Sequence, residues 1–347
     1  MMKKLLVSLA LIFCCVGITV ALAGVIPPAG VTTFNGRSGA VTSQAGDYNA
    51  PMVGILLANP MDYGAVGDGA HDDTAAIQAA MNNAVDGVLS FPSGKTFLVS
   101  APIVYTNGVD IEGNGSTIKS VIPQSGAGFV FKPASANLSG VHINNLTVDM
   151  QDTGDGGILL EAESFAEVKN VIVKNIPGGN VTYNDGVDAL TFPRSGFILK
   201  GIRGVYGDYY NRLVHCQEIG YNSSPSLWDG AGISFVGSTS QFPNDNRVEQ
   251  AVAYYLKYGV YVAKGGDNQI LQPDVSNNVY GIYDDGTRTV ASNVYAETDT
   301  YPVYADTASS GAYYSFASLS STRSLPVMPK SRKPLPIYIA ISRGRRK

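Results

Sequence analysis

"MDYGAVGDGAHDDTAAIQAAM", residues 61–81, decides how the rest of the chain is read. Gly64, Gly67 and Gly69 are interleaved with Asp62, Asp68, Asp72 and Asp73, and the stretch then passes into an alanine-rich helical pattern. Such a turn could cradle a phosphate, hold a metal or simply launch a helix. A phosphate loop needs a lysine among its glycines, and residues 61–73 contain none. Asp73 stands where an N-cap is expected, accepting from the first free amides at the positive end of the helix dipole. Ala76, Ile77, Ala80, Met81 and Ala84 form one apolar face at helical spacing, predicting a helix over residues 74–84. A short helix with one apolar face needs a surface to cover.

The segments beyond the helix predict that surface. "VLSFPSGKTFLVSAPIVY" (88–105) and "VDIEGNGSTIK" (109–119) are β-branched runs broken by Gly, Pro and Asn. After them the chain repeats itself: "GFVF" at 128, "GILL" at 157, "GFIL" at 196, "GISF" at 232, "GVYV" at 259 and "GIYD" at 281, with "YPVY" at 301. Tyr258, Tyr280 and Tyr301 open the last three copies, 22 and 21 residues apart. Matching second strands, among them "NRLVHCQEI", "NRVEQAVAY" and "NQILQPDV", lie between the copies. A unit of this size, mostly strand, is the signature of a solenoid coil. Longer gaps between the earlier copies predict loops bulging from several coils, and Asn in the turns predicts side-chain ladders. The helix before the first coil would cap the exposed end of the stack.

Composition agrees. The 347 residues are 45% hydrophobic and 15% charged, with 39 glycines, as suits a turn-rich β protein. All acidic residues precede residue 307, where 16 Lys and Arg face 28 Asp and Glu, a balance of −12. So acidic a body excludes a general nucleic-acid binder, which needs clustered cations.

At the N-terminus, Lys3 and Lys4 precede an apolar run ending in Ala21-Leu22-Ala23, predicting an export signal over 1–23, with an uncleaved anchor as the alternative. Cleavage would leave no membrane segment and a single thiol, Cys216, best read as core packing. Residues 24–60 read as a linker or attachment segment, 61–306 as the solenoid, and 307–347 as a basic, Pro-rich flexible tail.

"DYGAVGDGAHDDTAAIQAA" resembles the N-terminal signature of the pectate-lyase superfamily, and "LSFPSGKTFLVSAPI" and "VDIEGNGSTI" continue that pattern in order. The resemblance implies an all-β, right-handed, single-stranded parallel β-helix related to rhamnogalacturonases, polygalacturonases and phage tailspikes, with a polysaccharide as partner. "FNGRSGAVTSQAGDY" (34–48) resembles a short motif of phage tail-fibre and tailspike proteins, which implies a virion setting and a homotrimer. Fold alone does not give the reaction. Hydrolysis, β-elimination and glycan binding without cleavage all remain open, and with them an enzyme, an adhesin or a tail part.

Cleavage by hydrolysis needs two carboxyls, whereas elimination needs a base and a cation such as Ca²⁺ or Arg. Asp155 in "DTGDGGILL" and Asp229 in "WDGAGISF" occupy places comparable to the acidic residues of polygalacturonase-like relatives. Asp185 and Asp188 in "YNDGVDALTF" resemble the relatives' "NTDGID" segment without its Thr. The absence of an Asp-Asp pair before a central strand, of Gly-His-Gly and of Arg-Ile-Lys sets the chain apart from a standard polygalacturonase. Asp155, Asp185, Asp188 and Asp229 are the catalytic candidates, with Asp208 and Glu218 behind them. Trp228, Tyr254 and Tyr261 are the sugar-binding candidates, since aromatic rings stack on sugar faces. Tyr258, Tyr280 and Tyr301, in identical register, are expected to form a structural stack instead. His71, His142 and His215 lack metal-ligand spacing, and no metal ligand is assigned.

Overall fold

The computed structural model describes residues 57–84, 86–106, 108–204, 208–238, 241–305, 311–321 and 338–341. The expected export signal and most of the attachment segment lie outside the described residues. Among the described residues, parallel strands form three long sheets of eleven (sheet 1), seven (sheet 2) and eight strands (sheet 3). One coil visits each sheet in turn: His142–Asn144 in sheet 1, Thr147–Asp149 in sheet 2 and Gly156–Glu161 in sheet 3. Glu167–Lys169 then opens the next coil directly on His142–Asn144. The chain is a right-handed parallel β-helix.

Alternation within each strand sends one set of side chains inward. In sheet 3, Ile158, Phe197, Ile233, Val260, Ile282 and Val303 fall in register on successive coils and are buried. The repeated glycine at the head of these strands has a steric cause. A Cβ on Gly232 would stand 2.7 Å from the carbonyl oxygen of Gly259 on the next coil and 3.1 Å from Glu218. Gly157, Gly196, Gly259 and Gly281 meet the same obstacle, the next coil's backbone oxygen, at 2.5–3.0 Å.

Asn211, Asn246 and Asn268, fully buried, form the ladder expected from the repeats. The Oδ1 of Asn246 accepts from the Asn211 N–H (2.8 Å), and that of Asn268 accepts from the Asn246 N–H (3.1 Å). Each amide thus satisfies a backbone donor that the corner leaves without a ladder partner. Between sheets 1 and 2 the chain turns on a single left-handed residue, Asn145, Asn170, His215, Gln250, Gln272 and Asn293 on successive coils, with φ of 52–54°. His215 is therefore an exposed corner residue, while Cys216 behind it is buried. Tyr258, Tyr280 and Tyr301 stack at 5.1–5.3 Å, and Tyr261, Tyr283 and Tyr304 make a second column at 5.2–5.4 Å.

The helix Thr74–Asn83 buries Ile77, Ala80 and Met81 against the first coil. Gln78 reaches the first strand of sheet 3, donating to the Val104 carbonyl (2.9 Å) and accepting from its N–H (2.8 Å), so a side chain closes an open strand edge. Asp73 departs from expectation. Its carboxylate makes no capping bond; it accepts from Val66 and Gly67 N–H (2.7 and 3.1 Å), tying down the glycine-rich turn, and Asp72 accepts from the Thr74 N–H instead. The far end differs too. Tyr313–Ser321 and Tyr338–Ile341, expected in a flexible tail, join sheet 1 as strands.

We expect Gly232→Ala to lower stability by about 1–3 kcal/mol, since the added methyl must displace backbone rather than a side chain. Gly115→Ala, where a Cβ meets nothing within 4 Å but φ is +76°, should cost only the roughly 1–2 kcal/mol of the left-handed conformation. Denaturant unfolding of both variants measures the difference.

Candidate functional site

Each coil runs from sheet 2 into sheet 3 through a corner whose length varies. Stacked there are residues 150–155, 177–179, 221–230 and 255–257, and between them they enclose a cavity of about 260 Å³. Asp152, Tyr221, Asn222, Leu227, Asp229 and Tyr255 line it. Asp152 and Tyr255 are left-handed (φ 58° and 62°), which turns both side chains out of the corner, and their amides donate to Asn175 and Asn277 oxygens (both 3.0 Å). A short 3₁₀ turn, Pro225–Leu227, carries the chain to Trp228 and Asp229. Gly178 admits Asp229, because a Cβ on it would lie 2.9 Å from the Asp229 Cβ.

The two carboxylates of the cavity differ in environment. Asp152 is exposed at the cavity's edge, and the limited burial it has raises it from its ordinary value, with the Arg194 guanidinium opposing. Asp229 accepts the Gly230 N–H on Oδ1 (2.9 Å), and its Oδ2 makes no hydrogen bond among the described residues. Trp228, expected to bind sugar, is not in the lining; it packs on Tyr255, which is, with ring centroids 6.0 Å apart. The Trp228 indole N–H is buried without an acceptor among the described residues. Burial raises the Tyr258 hydroxyl, with the Asp229 charge adding to it.

Of the four carboxylates expected to be catalytic, the structure brings only Asp229 to this cavity. Asp155 is buried and accepts three backbone N–H groups on Oδ2, from Ser125, Gly126 and Gly128 (2.7–3.0 Å). Its Oδ1 accepts from Arg194 Nε (3.2 Å), whose Nη1 donates to the Gly178 carbonyl (2.9 Å). Asp155 thus positions the loop that seats Asp229. Asp185 and Asp188 form the tip of an antiparallel hairpin, Asn180–Asn184 with Ala189–Pro193, folded over the outer face of sheet 3. Val181, Tyr183 and Phe192 pack there on Phe129, Leu159 and Ile198 as a second small core. Lys200, fully buried, donates to Asp185 and to Glu161 (3.0 Å), and Tyr183 donates to the other Glu161 oxygen (3.0 Å). Burial would raise Asp185, but the Lys200 ammonium and the N–H groups of Asp188 and Val187 hold it below its ordinary range. Asp188 pairs with Arg203 (3.0 Å).

Asp208 and Glu218 point into the solenoid and are fully buried. Tyr254 donates to Asp274 (2.9 Å) beside the cavity, and Tyr261 belongs to the second tyrosine column and packs against the hairpin's core. Sequence reading missed Asp152, although it opens the same "DTGD" segment as Asp155, and it missed Tyr221 and Tyr255. A broader groove of about 420 Å³ between sheets 1 and 2 is lined by Asn114, Asn145 and Asn170 without an ionisable side chain, so acid–base chemistry has no group there.

The chain belongs to a carbohydrate-active family of pectate-lyase-like β-helices. Residues 57–249, more than half of it, match the family described as rhamnogalacturonase A/epimerase, pectate lyase-like. The tail spike protein of Escherichia virus K5 is 32% identical over 171 residues, 47% of this chain and 24% of that protein. Mannuronan C5-epimerase AlgE2 of Azotobacter vinelandii is 25% identical over 262 residues, 67% of this chain and 25% of the epimerase. The chain thus spans about a quarter of the length of these curated relatives. Among solved structures, the endo-xylogalacturonan hydrolase from Aspergillus tubingensis shares the fold, with a TM-score of 0.50 at 13% identity over 83% of this chain and 91% of that one. Relatives of this fold therefore include enzymes as well as a tail spike. No helix among the described residues is long and apolar enough to cross a membrane.

The interior carboxyls make stability depend on pH. Burial raises Glu163 and Asp299 to about 8, the first against a hydrogen bond from Tyr105 and the second against one from the Asn278 N–H. Such groups stay protonated in the fold while the unfolded chain ionises, so their contribution is full below the ordinary carboxylate range and is lost as pH rises to about 8. Unfolding midpoints should fall across that window, and Glu163→Gln should flatten the slope. A midpoint that rises with pH would contradict this account.

Proposed function

We propose that the chain holds a polysaccharide across the corner loops and cleaves a glycosidic bond in the cavity, with Asp152 as general acid and Asp229 as base or nucleophile. The observation that carries this reading is that two carboxylates from different coils, one raised toward its protonated form, line one cavity beside Tyr221, Tyr255 and Leu227. Glycoside hydrolysis requires that division of roles between two carboxyls. Asp152 would protonate the departing oxygen. Asp229 keeps one oxygen free to activate water or to attack the sugar carbon. The aromatic wall would exclude water from one side and stack against a sugar face.

Elimination at a uronate would need positive charge against the sugar's carboxylate. The cavity lining offers no lysine or arginine, and Arg194, whose charge reaches Asp152, is held by Asp155 and the Gly178 carbonyl, so a divalent cation such as Ca²⁺ on Asp152 and Asp229 would have to supply it. The apolar N-terminal run and the tail spike relative support work outside the cell or on a virion, where surface polysaccharides are met.

The test is incubation with acidic and neutral polysaccharides, following new reducing ends and the ultraviolet absorbance of unsaturated uronates. Reducing ends without absorbance are the expected result. Both signals together would mean elimination, and retention of a polymer without cleavage would mean a binding protein. Asp152→Asn and Asp229→Asn should each lower kcat by about 10²- to 10⁴-fold with the melting midpoint unchanged. The wild-type rate should fall as pH rises past the raised Asp152 value, because the acid must carry its proton.

A further inference from the structure

The corner between sheets 3 and 1 repeats as regularly as the others. Two residues ahead of each sheet 1 strand stands one left-handed residue: Gly140, Phe165, Tyr210, Asp245, Asp267 and Arg288, with φ of 53–67°. Bridges between Ser139, Ser164 and Tyr209 hold the first of these corners in line. Glycine tolerates this conformation freely and Asp adopts it more readily than most residues, but a bulky side chain there is an outlier. Phe165 and Tyr210 are nevertheless placed there, 59% and 53% exposed, with rings stacked at 5.3 Å and 16°. Burial explains neither ring. Below them Gly140 leaves open space, since a Cβ on it would meet nothing within 4 Å, so the face of Phe165 turned from Tyr210 has no corner side chain before it. Above them Asp245 is exposed, accepting from the Asn244 amide (2.7 Å). The cavity uses the same device: Tyr255 is also a left-handed aromatic residue, and it lines the candidate site.

We propose that Phe165 and Tyr210 form a second sugar-binding site, remote from the cleft, in which a sugar ring of the polysaccharide stacks on the open face of Phe165. Tyr210 backs the Phe165 ring from its other face and holds it in place for that stacking. This rests on the reading that the chain handles a glycan. Two rings flanked by a glycine and a carboxylate are far smaller than the surface a stable protein partner requires, about 800 Å² per side. Asp152 precedes and Phe165 follows the six-residue strand Gly156–Glu161, so the two sites stand at opposite ends of a sheet 3 strand. At about 3.3 Å per residue, the strand separates them by roughly 20 Å, several sugar units. The corner site would hold a long polymer while another part of it occupies the cleft.

The test uses the full chain, Phe165→Gly and Tyr210→Asn, run in native gels cast with polygalacturonate, alginate or a neutral glucan. Cleavage, sedimentation and melting midpoints are measured alongside. The expected result is retention weakened about tenfold by either variant, with cleavage of short oligosaccharides unchanged. The melting midpoint should hold or rise, because Gly and Asn suit a left-handed corner. Unchanged retention overturns the site, and so does a falling midpoint, which would make the rings structural. A wild-type oligomer that the variants dissociate would assign the rings to self-association and also overturn it. If Asp229→Asn abolishes cleavage while Phe165→Gly leaves retention intact, this site fails and the cleft reading stands. If the wild type is retained but never cleaves, and Phe165→Gly loses retention, the cleavage reading fails and this site stands. A wild type retained by none of the three polymers removes both.

Discussion

Everything in this molecule depends on the parallel hydrogen bonds that tie each coil to the ones above and below. A strand in the middle of such a stack has both edges committed, so its length and register cannot vary without unpairing its neighbours. Extra residues can enter only at corners. That constraint explains why the glycines recur where the next coil's carbonyl leaves no room for a Cβ, and why a left-handed residue recurs at the same place on successive coils between sheets 1 and 2 and ahead of the sheet 1 strands. It also explains why a buried Asn stands ahead of successive sheet 1 strands.

The candidate site is confined to the same corners. The hairpin Asn180–Pro193 and the loop 221–230 are both insertions between sheets 2 and 3, and they have different fates. The hairpin folds back on the sheet and spends its carboxylates on Lys200 and Arg203. The second loop leaves one Asp229 oxygen without a hydrogen bond among the described residues, in a cavity that Asp152 also lines. Asp155 connects the two regions: pinned by three amides, it holds Arg194, which holds the Gly178 carbonyl beneath Asp229. A carboxylate that resembles a catalytic one in sequence has both oxygens engaged here by backbone amides and an arginine.

The interior also carries carboxyls. Glu163, Asp208, Glu218 and Asp299 are buried, each with at least one oxygen lacking a partner among the described residues. Burial keeps all four toward their neutral forms. Neutral carboxyls cost far less to bury than charged ones, so the core tolerates them as long as the surroundings stay acidic enough.

How much could be read beforehand depends on which interactions are periodic. The strand copies, the tyrosine stack at 258, 280 and 301, the Asn ladder and the capping helix all keep a rhythm visible in one dimension, because each coil repeats the environment of the last. The roles of Asp73, Asp155 and Asp185 have no such rhythm. Asp73 serves a turn rather than the helix because the turn's amides come within 2.7–3.1 Å of it. Asp152 rather than Asp155 faces the cavity because the chain is left-handed at 152 and folds the later carboxylate inward onto the amides of 125–128. The sequence by itself determined the solenoid, its capped end and the coils that carry spare length, since those rest on local pattern and repetition. Only the tertiary structure decided which carboxylates meet, because corner loops from separate coils take their positions from contacts that no spacing along the chain encodes.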